Sequence, residues 1–318
     1  MNELIVPLAV LAALYVNGAT DAPNSVAAAV SRGVVGYRRA CLVCALFDFA
    51  GMLISCLMFD SVAKNMVSIA DFCSGGVVAS LLSVVIFSSV CWRFGIPTSE
   101  SHGLIAAVGG SSLYYAGSLD ASYSDICLKS VLSCVAGLAF GAAFCIFMKA
   151  LFKRRAGKSR RSIAASLAFI SAGGSSFCHG MQDGQKFLAM LAVGTGAAGA
   201  FSVRSVLICS VVLAAGCFTG GKRIINKLGC ELTGGGDVEE SSASDMAALV
   251  CTVAASLLGI PVSTTYMKTC TLIGASLAAG RRPSRLPLLQ LVLTWAATYP
   301  VCMALSYALS FGIDLLGL

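Results

Sequence analysis

Two short polar signatures each occur twice in this chain, about half the chain apart. The sequence GIPTSESH at 95–102 returns as GIPVSTTY at 259–266, and NGATD at 17–21 returns as HGMQD at 179–183. A polar element containing glycine or proline, at matching places in two halves of an apolar chain, is typical of a secondary transporter built from repeats. This duplication limits the possible folds more than any other feature of the sequence.

Composition places the chain in a membrane. Of its 318 residues, 57% are apolar and only 12% are charged, whereas soluble domains carry about 25% charged residues. The apolar residues form blocks of about 20 residues, the length of a membrane-spanning helix. We therefore expect an all-α polytopic membrane protein. The 15 cysteines lie mostly in these blocks, which indicates apolar packing residues rather than disulfides or a metal site.

Five apolar segments can be drawn in each half, and the basic linker 153–161 divides the halves. A first repeat at 1–152 and a second at 162–318 would have opposite orientations, because five crossings is an odd number; this predicts an inverted repeat with broken or re-entrant half-helices at the midplane. Within the second repeat, 222–245 is interpreted as a cytoplasmic loop, either with a short interfacial helix at its start or as a plain solvated loop throughout. The predicted segments are 4–30, 40–59, 75–96, 97–117, 127–150, 162–198, 202–220, 244–260, 261–280 and 286–312.

Basic residues predict the orientation. If the linker is cytoplasmic and every segment crosses, the outer loops hold few basic residues, namely Lys64, Lys129 and Arg204. The positive-inside rule is then satisfied with both termini outside. The net charge of +7 is thereby explained by topology in a plasma or inner membrane, so no nucleic-acid partner is expected.

The two proline–hydroxyl signatures predict helix starts that bind an anion. Pro97 and Pro261 suit the first turn of a helix, where their missing N–H would be unpaired anyway. Hydroxyls, free backbone N–H groups and the positive end of the helix dipole together favour an anion. A proline kink repaired by hydroxyls is the alternative, but the duplication favours a binding site. The candidate anion ligands are Ser99, Ser101, Ser263, Thr264 and Thr265.

The two aspartate signatures predict cation sites. A carboxylate at membrane depth costs about 3 kcal/mol, so Asp21 and Asp183 should face a partner, an ion or a water-filled cavity. Oxygen donors around one carboxylate suit Na⁺, and a carboxylate alone can carry H⁺; the alternative is a structural hydrogen bond between helices. Gly18 and Gly180 allow close approach or local unwinding of the backbone. The accompanying polar residues are Asn17, Thr20 and Asn24 near Asp21, and Gln182, Gln185 and Lys186 near Asp183.

Three further charged residues are expected at membrane depth. Glu100 takes the place of the hydroxyl of Thr264 in the other copy and is a candidate proton site or salt-bridge partner. Lys186 and Lys268 are candidate charge partners of Asp183 and Glu100, or direct ligands of the anion. For Lys268, a lysine that snorkels to the membrane surface is the alternative.

The sequence contains no nucleotide-binding P-loop and no pairing of a nucleophile with a base. We therefore expect neither an enzyme nor a transporter driven by ATP, and no cofactor besides a coupling ion. An intramembrane enzyme or scaffold is disfavoured because the polar site is duplicated.

The four motifs together resemble the inorganic phosphate transporter (PiT) family of Na⁺- or H⁺-coupled permeases. Each half of that family carries a GAND-like and a PVSTTH-like motif, which here read NGATDAPN, HGMQDGQK, PTSESH and PVSTTY. The segment GCFTGGKRIINKLG also resembles the loop that follows the second-half motif. The resemblance spans roughly 10–312 and implies an inverted-repeat fold, a central phosphate site, cation coupling, a symporter and a homodimer in the lipid bilayer.

Carried over by position, the resemblance assigns roles to the motif residues and leaves the coupling ion open. The motif asparagine is Thr20 in one copy and Gln182 in the other, and the second-half histidine is Tyr266. Glu100 replaces a hydroxyl, so the alternative is a proton-coupled permease of sulfate or another oxyanion on the same fold. The resemblance carries over Asp21, Asn24, Asp183 and Gln182 for the ions and the anion, and the five hydroxyls for the anion. With the residues considered above, the candidate phosphate ligands are Ser99, Ser101, Ser263, Thr264, Thr265, Asn24 and Gln182; the candidate cation ligands are Asp21, Asp183, Thr20, Asn17 and Glu100, with Na⁺ at Asp21 and Asp183.

Overall fold

The computed structural model describes residues 2–58, 61–70, 73–153, 157–196, 202–219, 221–232 and 237–317, and all regular structure in these ranges is helical. This confirms the expected all-α class. The helices of the first half are α1 (Asn2–Thr20), α2 (Ala22–Ser31), α3 (Tyr37–Met58), α4 (Ser61–Val67), α5 (Ser74–Arg93), α6 (Glu100–Tyr115) and α7 (Ala121–Phe152). Those of the second are α8 (Gly157–Thr195), α9 (Val203–Gly216), α10 (Lys222–Asn226), a π-helical turn (Lys227–Leu232), α11 (Val238–Leu257), α12 (Thr264–Ala278) and α13 (Arg285–Leu315).

Five stretches in the described ranges are long and apolar enough to cross a bilayer. They are Leu4–Ser31, Tyr37–Met58, Ser74–Arg93, Ser122–Phe152 and Arg285–Leu315. By contrast, α6 and α12 have 16 and 15 residues, fewer than the ~20 that span the hydrocarbon core. The fold is therefore that of a multi-pass membrane protein in which some helices begin inside the protein.

The first predicted segment, 4–30, is interrupted at Asp21, where α1 ends and α2 begins. Pro23 lies at the start of α2 and has no N–H to donate to the carbonyl of Ala19, so a continuous helix loses a hydrogen bond and gains a clash there. The equivalent segment of the second half is the single 39-residue helix α8, which contains no proline. The expected break is thus present in the first half, whereas α8 continues through Asp183.

Helix packing follows the sequence duplication. The counterparts are α1–α2 and α8, α3 and α9, α5 and α11, α6 and α12, and α7 and α13. Helices α3 and α7 of the first half pack on α8 and α12 of the second half. When each helix is replaced by its counterpart, the resulting pairs, α9 with α1 and α13 with α6, also pack against each other. Helix α5 contacts α1, α6 and α13, as α11 contacts α8, α12 and α7. The contact pattern is therefore duplicated, while the opposite orientation of the halves in a membrane stays a prediction.

Two glycines allow these helices to touch through their backbones. A Cβ on Gly18 would lie 2.1 Å from the carbonyl oxygen of Leu213, and a Cβ on Gly180 would lie 2.1 Å from that of Asp48. Leu213 and Asp48 occupy equivalent positions on α9 and α3. The close approach expected at both motif glycines is therefore present, and it brings each aspartate motif against a helix of the other half.

The polar stretch 222–245 differs from its prediction as a loop. A helix, α10, does begin it, and 233–236 lie outside the described residues. Residues 238–245, however, form the first turns of α11, where Glu240 and Asp245 are buried. Burial is possible because Glu240 is paired with Arg281 and Asp245 with Lys268.

The basic linker is described only at its edges. Residues 154–156 lie outside the described ranges, and α8 begins directly after them at Gly157. Its cytoplasmic placement stays a prediction.

Candidate functional site

The short helices α6 and α12 begin with the same cap. The backbone N–H of His102 donates to Ser99 Oγ at 3.1 Å, and that of Tyr266 donates to Ser263 Oγ at 3.1 Å. Serine is favoured at this position because its oxygen accepts from an N–H that has no partner within the helix. Ser99 and Ser263 thus fix the two helix starts, and both are buried.

The prediction that the two prolines stand in the first turn is wrong. The first helical residues are Glu100 and Thr264, so Pro97 and Pro261 precede the caps. The reason is that the serine hydroxyl accepts a hydrogen bond from a backbone N–H in the first turn, so each helix begins directly after its serine. The predicted helix starts are present, but they begin three residues later.

Residue Thr265 on α12 joins Asp21 and Asn24 in a cluster that we call the first triad. Asn24 Nδ2 donates to Asp21 Oδ1 at 3.1 Å and to Thr265 Oγ1 at 2.6 Å. The Thr265 hydroxyl donates to the same oxygen of Asp21. All three side chains are buried, so each hydrogen bond is made in a water-poor environment where it is electrostatically strong.

The second triad consists of Asp183, Lys186 and Ser101. Lys186 Nζ donates to Asp183 Oδ1 at 2.8 Å and to Ser101 Oγ at 2.6 Å, and the Ser101 hydroxyl donates to Asp183 Oδ1 at 3.0 Å. A further donation from Lys186 Nζ reaches the backbone oxygen of Val262 at 2.6 Å. The pairing of Lys186 with Asp183, one of the two partners considered from sequence, is therefore present.

Each triad is built from both halves of the chain. Ser101, on α6 of the first half, binds Asp183 of the second, and Thr265, on α12 of the second half, binds Asp21 of the first. The triads are also neighbours, since ligand atoms of Asp21, His179 and Asp183 lie within 4.8 Å of one another. The structure thus brings the two predicted anion-binding helix starts and the two predicted cation-binding aspartates into one buried site.

Both oxygens of the Asp183 carboxylate have partners. Besides the contacts of Oδ1, Asn17 Nδ2 donates to Oδ2 at 2.8 Å, and His179 Nε2 lies 3.4 Å from Oδ2. The other ring nitrogen of His179 lies 3.0 Å from Asp48 Oδ1, and the Cys217 thiol donates to Asp48 Oδ2 at 3.2 Å. This chain of contacts holds Asp183 in a fixed position on α8.

The surroundings of Asp21 are different, because several buried oxygens there have no donor. Among the described residues, no hydrogen-bond partner reaches Asp21 Oδ2, Glu100 Oε2 or Asn24 Oδ1. The other oxygen of Glu100 lies 2.5 Å from the Thr20 hydroxyl. Buried oxygens without donors carry a high desolvation penalty, and a cation or a proton would offset it.

Lys268 does not pair with Glu100, so that prediction is wrong. Lys268 Nζ lies 2.6 Å from Asp245 Oδ1 and donates to the backbone oxygen of Ser25 at 3.2 Å. The cause is the packing of α11 against α12, which places the buried Asp245 beside the lysine. A narrow cavity adjoins this pair and the first triad; it is lined by Asp21, Asn24, Ser25, Ser175, Ala248, Thr252, Thr264 and Lys268.

Gln182 and Gln185 make their described hydrogen bonds with residues outside the triads. Gln182 Nε2 donates to Ser256 Oγ at 2.7 Å and to the backbone oxygen of Ile260 at 3.3 Å. Gln185 Oε1 accepts from the backbone N–H of Val62 at 3.1 Å. These side chains tie α8 to α11 and α4, and a role of Gln182 as a phosphate ligand stays a prediction.

Sequence reasoning missed three contributors to the site, namely His179, the backbone oxygen of Val262 and Asp245. The backbone oxygen of Val262 has no side-chain signal. Asp245 was hidden in a polar stretch read as loop, although its spacing within 238–245 allows a helix. The signal available was an acidic residue directly before the apolar part of the next predicted segment.

The comparisons with known proteins agree with the four motifs. A model of the phosphate transporter family matches residues 17–306. A probable low-affinity inorganic phosphate transporter of Rhizobium meliloti (strain 1021) is 29% identical, over 95% of this chain and 93% of that protein. One of Bacillus subtilis (strain 168) is 23% identical, over 98% and 97%. A solved structure, "The sodium-dependent phosphate transporter", has the same fold, with a TM-score of 0.84, 17% identity and 99% of each chain covered. The chain therefore belongs to the phosphate transporter family.

Proposed function

We propose that this protein is a secondary active symporter of inorganic phosphate, driven by a cation that binds in the same buried site. The observation that carries the proposal is the exchange of ligands between halves, in which each hydroxyl-bearing helix start binds the aspartate of the other half. The relatives named as inorganic phosphate transporters support the choice of solute. They also agree with the prediction that the protein is not an enzyme.

Phosphate would bind at the N-termini of α6 and α12. The first N–H groups of a helix lack partners within it and carry the positive end of the helix dipole, so two such ends suit an oxyanion. The Thr264 hydroxyl supports this assignment, because it lines the cavity and has no partner among the described residues. Ser101, Thr265 and Asn24 are the further candidate ligands close by, and Lys268 supplies positive charge at the cavity wall.

The coupling cation would bind at the oxygens around Asp21. A carboxylate together with amide and hydroxyl oxygens is a ligand set for a hard cation. Bound there, the cation would offset part of the charge of the incoming phosphate. Glu100 favours H⁺ as the alternative ion, because its second oxygen is buried without a partner among the described residues.

Alternating access would come from movement of one half against the other. Both triads bridge the halves, so their hydrogen bonds must change when the halves move, and ligand binding can bias that change. In the same proposal the repeats are 1–152 and 162–318, both termini lie outside the cell, and the linker is cytoplasmic. The protein would act as a homodimer, which cross-linking in native membranes would test.

Uptake of labelled phosphate into proteoliposomes tests the proposal. Phosphate should accumulate when a Na⁺ gradient or, separately, a pH gradient is imposed, and the effective gradient identifies the coupling ion. Unlabelled sulfate in excess is the matched competitor: strong competition would favour the wider oxyanion permease. Absence of phosphate accumulation under both gradients would refute the proposed function.

A further inference from the structure

The two triads have equivalent positions in the two repeats. Asp21 corresponds to Asp183, and the residue three positions later is Asn24 in the first copy and Lys186 in the second. The hydroxyl that completes each triad also corresponds, since Ser101 and Thr265 stand at the same place in their signatures. Any difference between the triads is therefore a difference between two copies of one site.

Asn24 and Lys186 share two contacts, and Lys186 makes a third, to the backbone oxygen of Val262. Asn24 Nδ2 donates to the motif carboxylate and to the Thr265 hydroxyl, and Lys186 Nζ donates to the motif carboxylate and to the Ser101 hydroxyl. The donors differ in charge, because the amide is neutral and the ammonium is positive. The first triad thus contains one uncompensated carboxylate, whereas the second contains an internal ion pair.

The oxygens around the ammonium form a ligand set for a small cation. A carboxylate oxygen of Asp183, the hydroxyl of Ser101 and the backbone oxygen of Val262 lie 2.8, 2.6 and 2.6 Å from Lys186 Nζ. Lys186 is only 1% exposed. Oxygen donors of these kinds bind hard cations such as Ca²⁺. Here the ammonium group of Lys186 lies between the three oxygens, where such a cation would bind.

Lys186 is not available to bind the anion in this arrangement. An ammonium has three N–H donors, and all three are directed at protein oxygens. A role as direct phosphate ligand would require one of these contacts to break. The geometry instead makes the ammonium the counter-charge of Asp183.

We propose that the ammonium of Lys186 is a permanent replacement for one coupling cation, so that the second triad binds no exchangeable ion and the first triad alone does. The proposal rests on the proposed function and deepens it, because it fixes which copy of the site takes the mobile cation. Two observations support it independently. Among the described residues Asp21 has no ion-pair partner and an oxygen without a donor, whereas both oxygens of Asp183 are engaged.

The test is Na⁺ binding to the Lys186→Asn variant, which copies the first triad into the second. Purified protein in detergent is heated in about 0.1 M NaCl or choline chloride, and Tm is recorded. The variant should gain a Na⁺-dependent rise in Tm at least about 2 °C larger than that of the wild type, because ligand that binds only the folded state stabilises it. This readout needs no transport, so failure of phosphate uptake would leave it intact.

Two matched variants isolate the cause. Lys186→Arg keeps the positive charge and should show the wild-type response. The double variant Asp183→Asn, Lys186→Asn lacks the carboxylate and should not gain Na⁺ binding. A Lys186→Asn response equal to that of the wild type, or to that of the double variant, would overturn the proposal.

If Lys186→Asn is not recovered from choline buffer, recovery itself becomes the readout. The proposal requires folded, monodisperse protein when extraction and purification are carried out in NaCl, because Na⁺ then neutralises Asp183. Failure to recover the variant in NaCl as well would contradict it.

Discussion

The aspartate motif of the first half and that of the second half begin from the same sequence pattern and end in different local structures. At Asp21 the chain breaks into α1 and α2, while at Asp183 the helix α8 continues. The backbone difference follows from Pro23, and the charge difference follows from Lys186 in place of Asn24. The contacts to the hydroxyl of the other half are nevertheless the same.

This comparison shows which properties of a duplicated site are fixed by packing and which are free to diverge. The hydroxyl–carboxylate contacts join the two halves and depend on the close approach at Gly18 and Gly180. The charge of the third residue depends on one side chain. A repeat protein can therefore change the number of ions at its site while it keeps its fold.

The sharpest difference is expected between Asp183→Asn and Asp21→Asn. Asp183→Asn leaves the buried ammonium of Lys186 unpaired, which should lower the free energy of unfolding by about 3–5 kcal/mol. Asp21 has no such ion pair in the described residues, so Asp21→Asn should remain folded but lose cation-driven uptake by about 10- to 100-fold. Thermal unfolding and proteoliposome uptake check the pair. Equal loss of stability in both variants would break the comparison.

The backbone contacts should behave alike in the two halves. Gly18→Ala and Gly180→Ala each place a Cβ 2.1 Å from a carbonyl oxygen and should destabilise the protein by about 1–3 kcal/mol or more. Gly36→Ala is the matched control, because nothing lies within 4 Å of its added Cβ. The measurement is Tm in detergent. A normal Tm for Gly18→Ala would show that α1 and α9 can separate without cost.

Removing the hydroxyls of Ser101 and Thr265 tests whether the N-termini of α6 and α12 bind the same phosphate. Ser101→Ala and Thr265→Val each remove a candidate phosphate ligand, and because a hydrogen bond to a charged group is worth about 1.5 kcal/mol or more, each should raise the KM for phosphate by ~10-fold. Thr271→Val is the control, since the Thr271 hydroxyl donates only to the backbone of its own helix in the described contacts. An effect confined to one of the two helix starts would argue against a shared anion site.

The smallest effect is expected from Pro23→Ala, which restores an N–H that can bond the carbonyl of Ala19. The continuous helix should stabilise α1–α2 by about 1 kcal/mol while it moves Asn24 relative to Asp21. Phosphate uptake should fall a few-fold, and Tm should rise slightly. Unchanged uptake would mean that the break is not needed at the first triad.

The sequence was sufficient to predict the class of fold and the meeting of the four motifs. The duplication indicated that the two helix starts point at one shared ligand, and the family resemblance implied a central site, but the contacts of Ser101 with Asp183 and of Thr265 with Asp21 were not predicted. The pairing of Lys186 with Asp183 was one of the alternatives left open, and their spacing of one helical turn permits it.

Other features depend on tertiary packing that a single sequence does not display. The pairing of Lys268 with Asp245 arises from the contact of α11 with α12, and Asp245 lies in a stretch whose polarity suggested a loop. The third ligand of Lys186 is the backbone oxygen of Val262, which leaves no trace in residue type. Helices α6 and α12 begin later than predicted because a serine N-cap, rather than a proline, marks each helix start.

The most direct test of the account is the number of charges moved per phosphate, measured from the reversal potential in proteoliposomes containing wild-type protein or Lys186→Asn. Both are assayed in Na⁺ at one pH, so the charge of phosphate itself is constant. The account predicts one additional positive charge per phosphate for Lys186→Asn, because a mobile cation replaces the fixed ammonium. The same charge per phosphate in both proteins would contradict it.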